Sequence, residues 1–533
     1  MLYYFVIVPV FLAVLLYLFS SLKIVRTIGI IAQFSLFLVS AYLFYTMEPG
    51  EYISVAIGGF ESILGVWLRA DTLSSVFLLL TTFLFLIGSI YSFKESKSGL
   101  FWFLMFLWEA SLIGIFLTGD LFNIFVLVEV GTVVVSIIIL YNRANRSLYD
   151  GMIYLMINTV IIQFYMIGVG LIYRLTGGLD LVHVQNVFAT MDSRDLVLPY
   201  ALLMTFVALK CALMPLYSWL PKAHGTTGAP AAASALLSGL HIKSGVYLFL
   251  RFQEMFEPIA TFEIFLVIGV ITAIAGVIMA LAQTDIKLIL AYSTVAQIGL
   301  IIVGLSVNTV GSYNYIGALY HILNHAIFKA ALFLSAGVLA YAYGTRKLAD
   351  IRGVFKVMPM LAIAKILAIL GIVGTPLFNG NISKYFLMSG LDFWLNTVLI
   401  IVNLGTITIF IKYSTIFFGK PKEQLHVKTD LLRHGPILIL GVLCFVGGIF
   451  GVWSIEFLFN YTVYVDLQGY IEKTVIFFIS LGIGYLIYKY YVEKSEFLKK
   501  VKEIDFCFRT MCLSIGIFMA VILITVGFGS SWA

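Results

Sequence analysis

Long apolar runs dominate the chain, broken at intervals by short clusters of charge, Gly and Pro. Sixteen of them are long enough to cross a hydrocarbon layer about 30 Å thick. They are residues 2–20, 24–46, 70–92, 100–118, 120–141, 152–174, 198–220, 233–252, 262–282, 287–306, 315–342, 357–388, 393–417, 435–457, 471–489 and 509–528. The pattern predicts an all-α polytopic membrane protein with about 16 transmembrane helices. Gly and Pro interrupt the seventh, eighth and twelfth runs, which predicts broken helices there. Composition agrees: 61% of the 533 residues are hydrophobic and 11% charged, against about 25% charged in soluble domains. The first run is long and lacks a basic start, so a membrane helix is expected rather than a cleaved signal peptide.

Charge placement sets the expected orientation. With the N-terminus outside, loops after odd-numbered helices face the cytoplasm. Those loops hold most of the 33 Lys and Arg, including Lys94, Arg143, Arg146, Arg346, Lys347, Arg352, Lys420, Lys422 and Lys499. The opposite side holds Arg69, Arg174, Arg194, Arg251 and Lys473. This bias is the positive-inside pattern, and it places both termini outside a cell (inner or cytoplasmic) membrane. The net charge of +6 follows the membrane and carries no nucleic-acid signal.

The remaining basic residues, Lys210, Lys243, Lys329, Lys365, Lys384 and Lys412, fall inside apolar runs, as do Glu109 and Glu129. A charge near the bilayer centre costs roughly 2.5–3.5 kcal/mol on insertion scales, so such groups must face the bundle interior, pair, or line water. Burial disfavours the charged form and a nearby carboxylate favours it, so groups of this kind can exchange protons near neutral pH. Lys210, Lys243 and Lys384 each adjoin a helix breaker, where freed backbone lines a cavity. Glu129 lies about 13 Å into its helix from the Gly119-Asp120 turn; its plain alternative is a hydrogen-bonded structural carboxylate, as for Glu109. Lys412 lies near a helix end and can snorkel. Lys365 sits eight residues into its run and is open to either reading.

His321, His325 and Lys329 lie at i, i+4 and i+8, one helical stripe about 12 Å long. A bis-histidine haem site needs a second His pair, and the other His are scattered at 183, 224, 241, 426 and 434. A metal site would have two His without converging carboxylates or Cys. A hydrogen-bonded proton path fits best, because imidazole can accept on one nitrogen and donate from the other. His241, beside Lys243, could continue it. Structural polar packing is the competing reading.

No redox or hydrolytic site is legible. Cys211, Cys444, Cys507 and Cys512 have no CxxC spacing, and no GxGxxG-type loop occurs. The expectation is therefore no cofactor in this chain.

Several stretches resemble the proton-translocating, antiporter-like membrane subunits shared by Mrp cation/proton antiporters, respiratory complex I and membrane-bound hydrogenase-type complexes. They are LTGDLFNIFVLVEV (117–130), MPLYSWLPKAHGTTGAPAAASALLSGLHIKSGVYLFLR (214–251), DIKLILAYSTVAQIG (285–299), YHILNHAIFKAALFLSAG (320–337) and GTPLFNGNISK (374–384). The resemblance covers roughly 100–420 and is nearest to the Mrp D-type branch. It implies two inverted five-helix repeats with broken helices. The implied organisation is N-terminal helices 1–98, repeat 1 over 99–253, repeat 2 over 254–420, and C-terminal helices over 421–533 with a charged linker at 489–509. It also implies roles: Glu129 paired with Lys210, Lys243 as the central lysine, His321, His325 and Lys329 as the connecting axis, and Lys384 as the terminal lysine. Glu109 and His241 join the candidates on their own chemistry. Transported H⁺ is implied, with Na⁺ coupling left open. Partners would be other membrane subunits, and any iron–sulfur or nickel–iron centres would sit in soluble redox partners. Some positions depart from the family pattern. Tyr217 stands where a His is common, Pro376-Leu377 replaces a double proline, and Lys365 and His241 are not expected. The 489–509 linker is too short for the lateral helix of the long complex I subunit and reads as a peripheral or docking helix.

Two other functions compete. A stand-alone secondary transporter of an organic solute could use broken helices but would not call for a row of Lys and His. A polytopic lipid-linked transferase would need catalytic groups in sizeable loops; the longest here, about 175–197, holds His183, Asp180, Asp192 and Asp195 without metal spacing.

Overall fold

The computed structural model describes residues 2–19, 22–48, 50–59, 65–94, 98–225, 229–307, 310–421 and 430–529. Lys422, His426 and residues 226–228 of the 214–251 motif lie outside them. Among the described residues, thirteen helices are long and apolar enough to cross a membrane. That is three fewer than the sixteen expected: where the others are expected lie helices too short or too polar to count, Tyr4–Phe19, Ser193–Lys210, and the pair Pro359–Val373 and Asn379–Leu387. The protein is an integral membrane protein.

The chain divides into two compact units. The first comprises Met1–Ala229, Leu240–Ile264 and Phe506–Ala533. Its long helices include Thr72–Ser92, Gly99–Leu117, Leu121–Leu140 and Asn145–Thr176, and the last helix, Phe508–Gly529, packs on Ser193–Lys210 and Asn145–Thr176. A small antiparallel hairpin pairs Ile53–Ala56 with Trp67–Ala70. The expected 175–197 loop contains a short helix, Leu181–Phe188, capped by Asp180. Asp180 also pairs with Arg69 at 2.8 Å.

The second unit comprises Pro230–Gly239 and Phe265–Asp505. Its 488–502 stretch is a wide helical turn followed by a short helix, Glu496–Lys502. Leu498 and Val492 pack there against Ala282, and Lys502 donates to Thr284 Oγ1 at 2.9 Å. The linker thus docks on the end of Phe262–Ala282.

Aspartates set where helices begin. Asp71, Asp120, Asp180, Asp192, Asp285, Asp392, Asp430 and Asp466 each accept a backbone N–H of the first turn. Such caps are worth about 1 kcal/mol each and satisfy donors that apolar neighbours cannot. Asp71 also receives two bonds from Arg251, at 2.6 and 2.7 Å. Burial alone would raise its carboxyl; the Arg251 guanidinium and Ser74 amide outweigh burial and hold it below its usual range. The pair therefore stays charged at neutral pH and is lost only as the pH falls through that lowered value.

The expected interruptions of the seventh and twelfth runs are full breaks, and that of the eighth is a widened turn within one continuous span, Ala231–Met255. Ser193–Lys210 stops just before Pro215, with Ala212 at φ 52°. A wide turn at Leu237–His241 separates Ala231–Leu236 from Ile242–Met255. Pro359–Val373 ends on Gly374 at φ 80°, and Leu377 follows at φ 71° before Asn379–Leu387 begins. The departure from a double proline now has a reason: a proline ring holds φ near −65° and cannot occupy Leu377's left-handed position. Two glycines let backbones meet at these breaks. A Cβ on Gly245 would lie 2.8 Å from the Lys210 carbonyl carbon, and one on Gly380 would collide with the Gly371 carbonyl oxygen.

Leu377→Pro should lower the thermal midpoint of the detergent-solubilised protein. Leu377→Gly, which relieves a left-handed cost of about 1–2 kcal/mol, should leave it unchanged or higher. A thermal-shift assay of both variants checks this.

Candidate functional site

The candidate residues are divided between the two units. In the first unit Lys210, at the end of its broken helix, is 5% exposed. Its Nζ donates to Asn158 Oδ1 at 2.6 Å and Thr132 Oγ1 at 3.2 Å. Glu129, expected to pair with it, makes no hydrogen bond or ion pair with it among the described residues. Glu129 is half-buried and shares a helix face with Phe122, Val126, Val133 and Ile137, all well exposed. Lys243 is fully buried on Ile242–Met255.

His241 has both ring nitrogens engaged. Trp108 Nε1 lies 3.3 Å from Nδ1, and Tyr154 OH 3.0 Å from Nε2. Indole N–H only donates, so Nδ1 accepts and the neutral ring carries its proton on Nε2, facing Tyr154. Adding a proton at Nδ1 would break the Trp108 bond. A gap of about 10 Å³ is lined by Lys210, His241, Ser111 and Ser244, about the size that holds one water.

Glu109 lies apart from the lysines. It is fully buried, and its partner is Gln33 Nε2, in a network that includes Thr82 and Ser40. On the stripe of Lys243, one turn on, Tyr247 lines a cavity of about 430 Å³ with Arg69, Asp71, Thr118, Arg251 and Glu254. Arg251 Nε donates to Tyr247 OH at 3.0 Å.

In the second unit His321, His325 and Lys329 are fully buried on Tyr313–Tyr343. The two imidazoles are 6.5 Å apart, and His325 sits edge-on to Phe328. Lys329 Nζ donates to Ser293 Oγ and to Leu290 O at 2.8 Å. His321 Nε2 faces Gln297 Oε1 and its Nδ1 faces Ser383 Oγ, both at 2.9 Å. The Gln297 amide nitrogen lies on Thr406, so its oxygen is turned to His321 and Nε2 donates. Ser383 Oγ also lies 3.2 Å from Asn379 O and 3.3 Å from Gly380 O. The hydroxyl therefore has two settings. It donates to Nδ1 when the ring is neutral, and to a helix carbonyl when Nδ1 carries a proton.

Lys384 follows Ser383 and donates to Ile372 O at 2.7 Å and Asn403 Oδ1 at 2.8 Å. Lys365 donates to Ser335 Oγ and Tyr413 OH, each at 3.0 Å. Lys412 instead binds the terminal carbonyls Leu281 O and Gln283 O, which is helix capping rather than snorkelling. Lys210, Lys329, Lys365 and Lys384 thus touch neutral oxygens, and none contacts a carboxylate among the described residues. The neutral partners Asn158, Thr132, Ser293, Gln297, Ser383 and Asn403 were not singled out in the sequence. A lone amide in an apolar run, such as Asn158 or Gln297, was the available signal.

A family model described as NADH:quinone oxidoreductase/Mrp antiporter, transmembrane, matches residues 118–411. The chain belongs to this antiporter family. Its relatives include the N-type subunit of NADH-quinone oxidoreductase from Desulforudis audaxviator, 30% identical over 493 residues, with 86% of this chain and 97% of the relative covered. The D-type subunit of the Na(+)/H(+) antiporter from Alkalihalophilus pseudofirmus is 30% identical over 413 residues, covering 76% and 83%. The antiporter-family fold is shared with a chain of the Mrp complex from Dietzia sp., at TM-score 0.79, 24% identity, and coverage of 90% and 99%. It is shared also with a chain of the membrane-bound sulfane sulfur reductase, an archaeal respiratory membrane complex, at TM-score 0.79, 21% identity, and coverage of 90% and 99%. The family read from the motifs is the family found.

Asn158→Leu removes the shorter of the two Lys210 bonds. The expected cost is about 1.5–3 kcal/mol, the range for hydrogen bonds to charged groups. A clearly lowered midpoint in thermal unfolding of the purified protein checks it.

Proposed function

We propose that this chain is the ion-translocating, antiporter-like subunit of a multisubunit membrane assembly, moving protons through Lys210, Lys243, Lys329 and Lys384. The observation that carries the reading is the set of buried amines held by neutral oxygens. A lysine locked to a carboxylate is a fixed ion pair. One held by hydroxyls and amides keeps its hydrogen bonds whether it carries two protons or three. Glu129 acts from a distance and biases the protonation of Lys210. In the second unit the two settings of Ser383 couple a proton on His321 to the broken helix that carries Lys384. His241, with its proton on Nε2, orients Tyr154 rather than carrying charge. Glu109 is left as an accessory group in its own network.

The repeats are taken as 99–253 and 254–420, between N-terminal helices 1–98 and C-terminal helices 421–533. The break beside Lys210 and the break beside Lys384 support this, each with a non-glycine residue in the left-handed region. The assembly is placed in the cell membrane with both termini outside, on the distribution of Lys and Arg. The Arg69 and Arg251 cavity then opens outward, one helical turn from Lys243. The exposed face around Glu129 supports a partner. A carboxylate facing hydrocarbon is costly, so a neighbouring membrane subunit covers this stripe. The relatives named above belong to a quinone oxidoreductase and an antiporter. On this reading redox centres, where an assembly has them, belong to its other subunits.

Lys210→Ala and Lys384→Ala should each assemble and each lose most proton flux in proteoliposomes. Assembled variants that translocate at the wild-type rate would make the path wrong. Ser383→Ala should slow flux severalfold, whereas Ser383→Thr, which keeps the hydroxyl, should retain most of it.

A further inference from the structure

Gln33, Thr82 and Glu109 meet where the helices Lys23–Thr46, Thr72–Ser92 and Gly99–Leu117 pack. All three residues precede the 118–411 stretch that matches the family model, and the row of lysines uses none of them. Each is 0% exposed.

The hydrogen bonds fix how the Gln33 amide points. Its Nε2 donates to Thr82 O at 3.3 Å and to Glu109 Oε1. A backbone carbonyl only accepts, so the nitrogen must be the atom that faces it. Both N–H groups are then used, and Gln33 Oε1 is left as an acceptor. The nearby hydroxyls have no proton to spare for it. Ser40 Oγ and Thr82 Oγ1 share one bond at 2.7 Å, and the other proton goes to a helix carbonyl, Phe37 O at 2.7 Å or Leu78 O at 3.1 Å.

Two buried oxygens remain without a donor among the described residues: Gln33 Oε1 and Glu109 Oε2. They belong to the same amide and the same carboxyl that already share one bond. No cationic side chain contacts Glu109 among the described residues. A bare buried acceptor is costly, and a bare buried charge costs more. A water molecule could donate to either oxygen but would leave the charge. One proton on Oε2 removes the charge, turns that oxygen into a donor and offers Gln33 Oε1 a partner.

We propose that Glu109 is a proton-binding site whose resident proton, on Oε2, closes a two-bond acid–amide ring with Gln33. The acid O–H donates to the amide oxygen, and the amide N–H donates to the acid carbonyl. The ring fastens Lys23–Thr46 to Gly99–Leu117 by polar bonds inside apolar surroundings. A metal cation at these oxygens would compete with Nε2 for Glu109 Oε1, so the occupant is H⁺. The inference stands apart from the translocation reading, because this proton stays in place and no readout below is transport.

The test compares the complete assembly in lipid at neutral pH with its Glu109→Gln variant by infrared difference spectroscopy. A carboxylic acid and a carboxylate absorb at well-separated frequencies. The variant should lack one acid carbonyl band; loss of a carboxylate band instead would overturn the proposal. Glu109→Gln should assemble with an unchanged thermal midpoint, since its amide can donate to Gln33 Oε1 and accept from Nε2. A variant that fails to assemble contradicts the ring. Gln33→Leu should lower the midpoint and shift the acid band, and an unshifted band would mean that the acid does not donate to Gln33. If NaCl in place of choline chloride raised the midpoint of the native assembly but not of Glu109→Gln, a metal cation would be the occupant and the proton assignment would fall.

Discussion

A cation inside a bilayer has no bulk water to bind, so the protein must supply every hydrogen bond it makes. That constraint organises this molecule. Four buried lysines are each placed where two neutral oxygens converge, and for two of them, Lys210 and Lys384, the placement depends on backbone that regular helix cannot provide. Lys210 sits at the end of a helix that stops. Lys384 sits beyond a break whose freed carbonyl, that of Ile372, becomes its partner. The breaks in turn depend on close backbone contact at Gly245 and Gly380 and on left-handed residues at Ala212, Gly374 and Leu377. At Lys210 and Lys384 helix interruption and lysine solvation are one feature seen from two sides.

The same chemistry separates lysines held by side chains from one that closes a helix end. Lys412 also lies in an apolar run, yet it binds the terminal carbonyls of a helix and closes that helix's end. Lys210, Lys329, Lys365 and Lys384 reach hydroxyl or amide groups that rotate or are shared with other side chains. His321 belongs with them because Ser383 can turn between it and the helix backbone. His241 does not, because Trp108 offers only a donor and fixes the ring's neutral form.

Much of this is legible in the amino-acid order alone. Apolar runs locate the helices, and Gly and Pro mark the three interruptions. Charges at membrane depth name the lysines and Glu129, and the motifs name the family. The neutral partners are not legible, since Ser, Thr and Asn are common in membrane helices and carry no charge signal. Nor does the pattern separate Glu109, which joins Gln33 from the N-terminal helices, from the lysines it resembles in depth. The 175–197 loop conceals a helix because its apolar stretch, Leu181–Phe188, is too short to stand out. Leu377 looks like a lapse from the family pattern, but its left-handed backbone excludes a proline there.

The central claim is that this chain moves protons as one subunit of a larger membrane particle. The most direct measurement is proton flux in liposomes carrying either the native particle, extracted in mild detergent, or the isolated chain. The account predicts flux from a particle containing several membrane subunits and none from the chain alone. An isolated chain that moves protons at the particle's rate would contradict it.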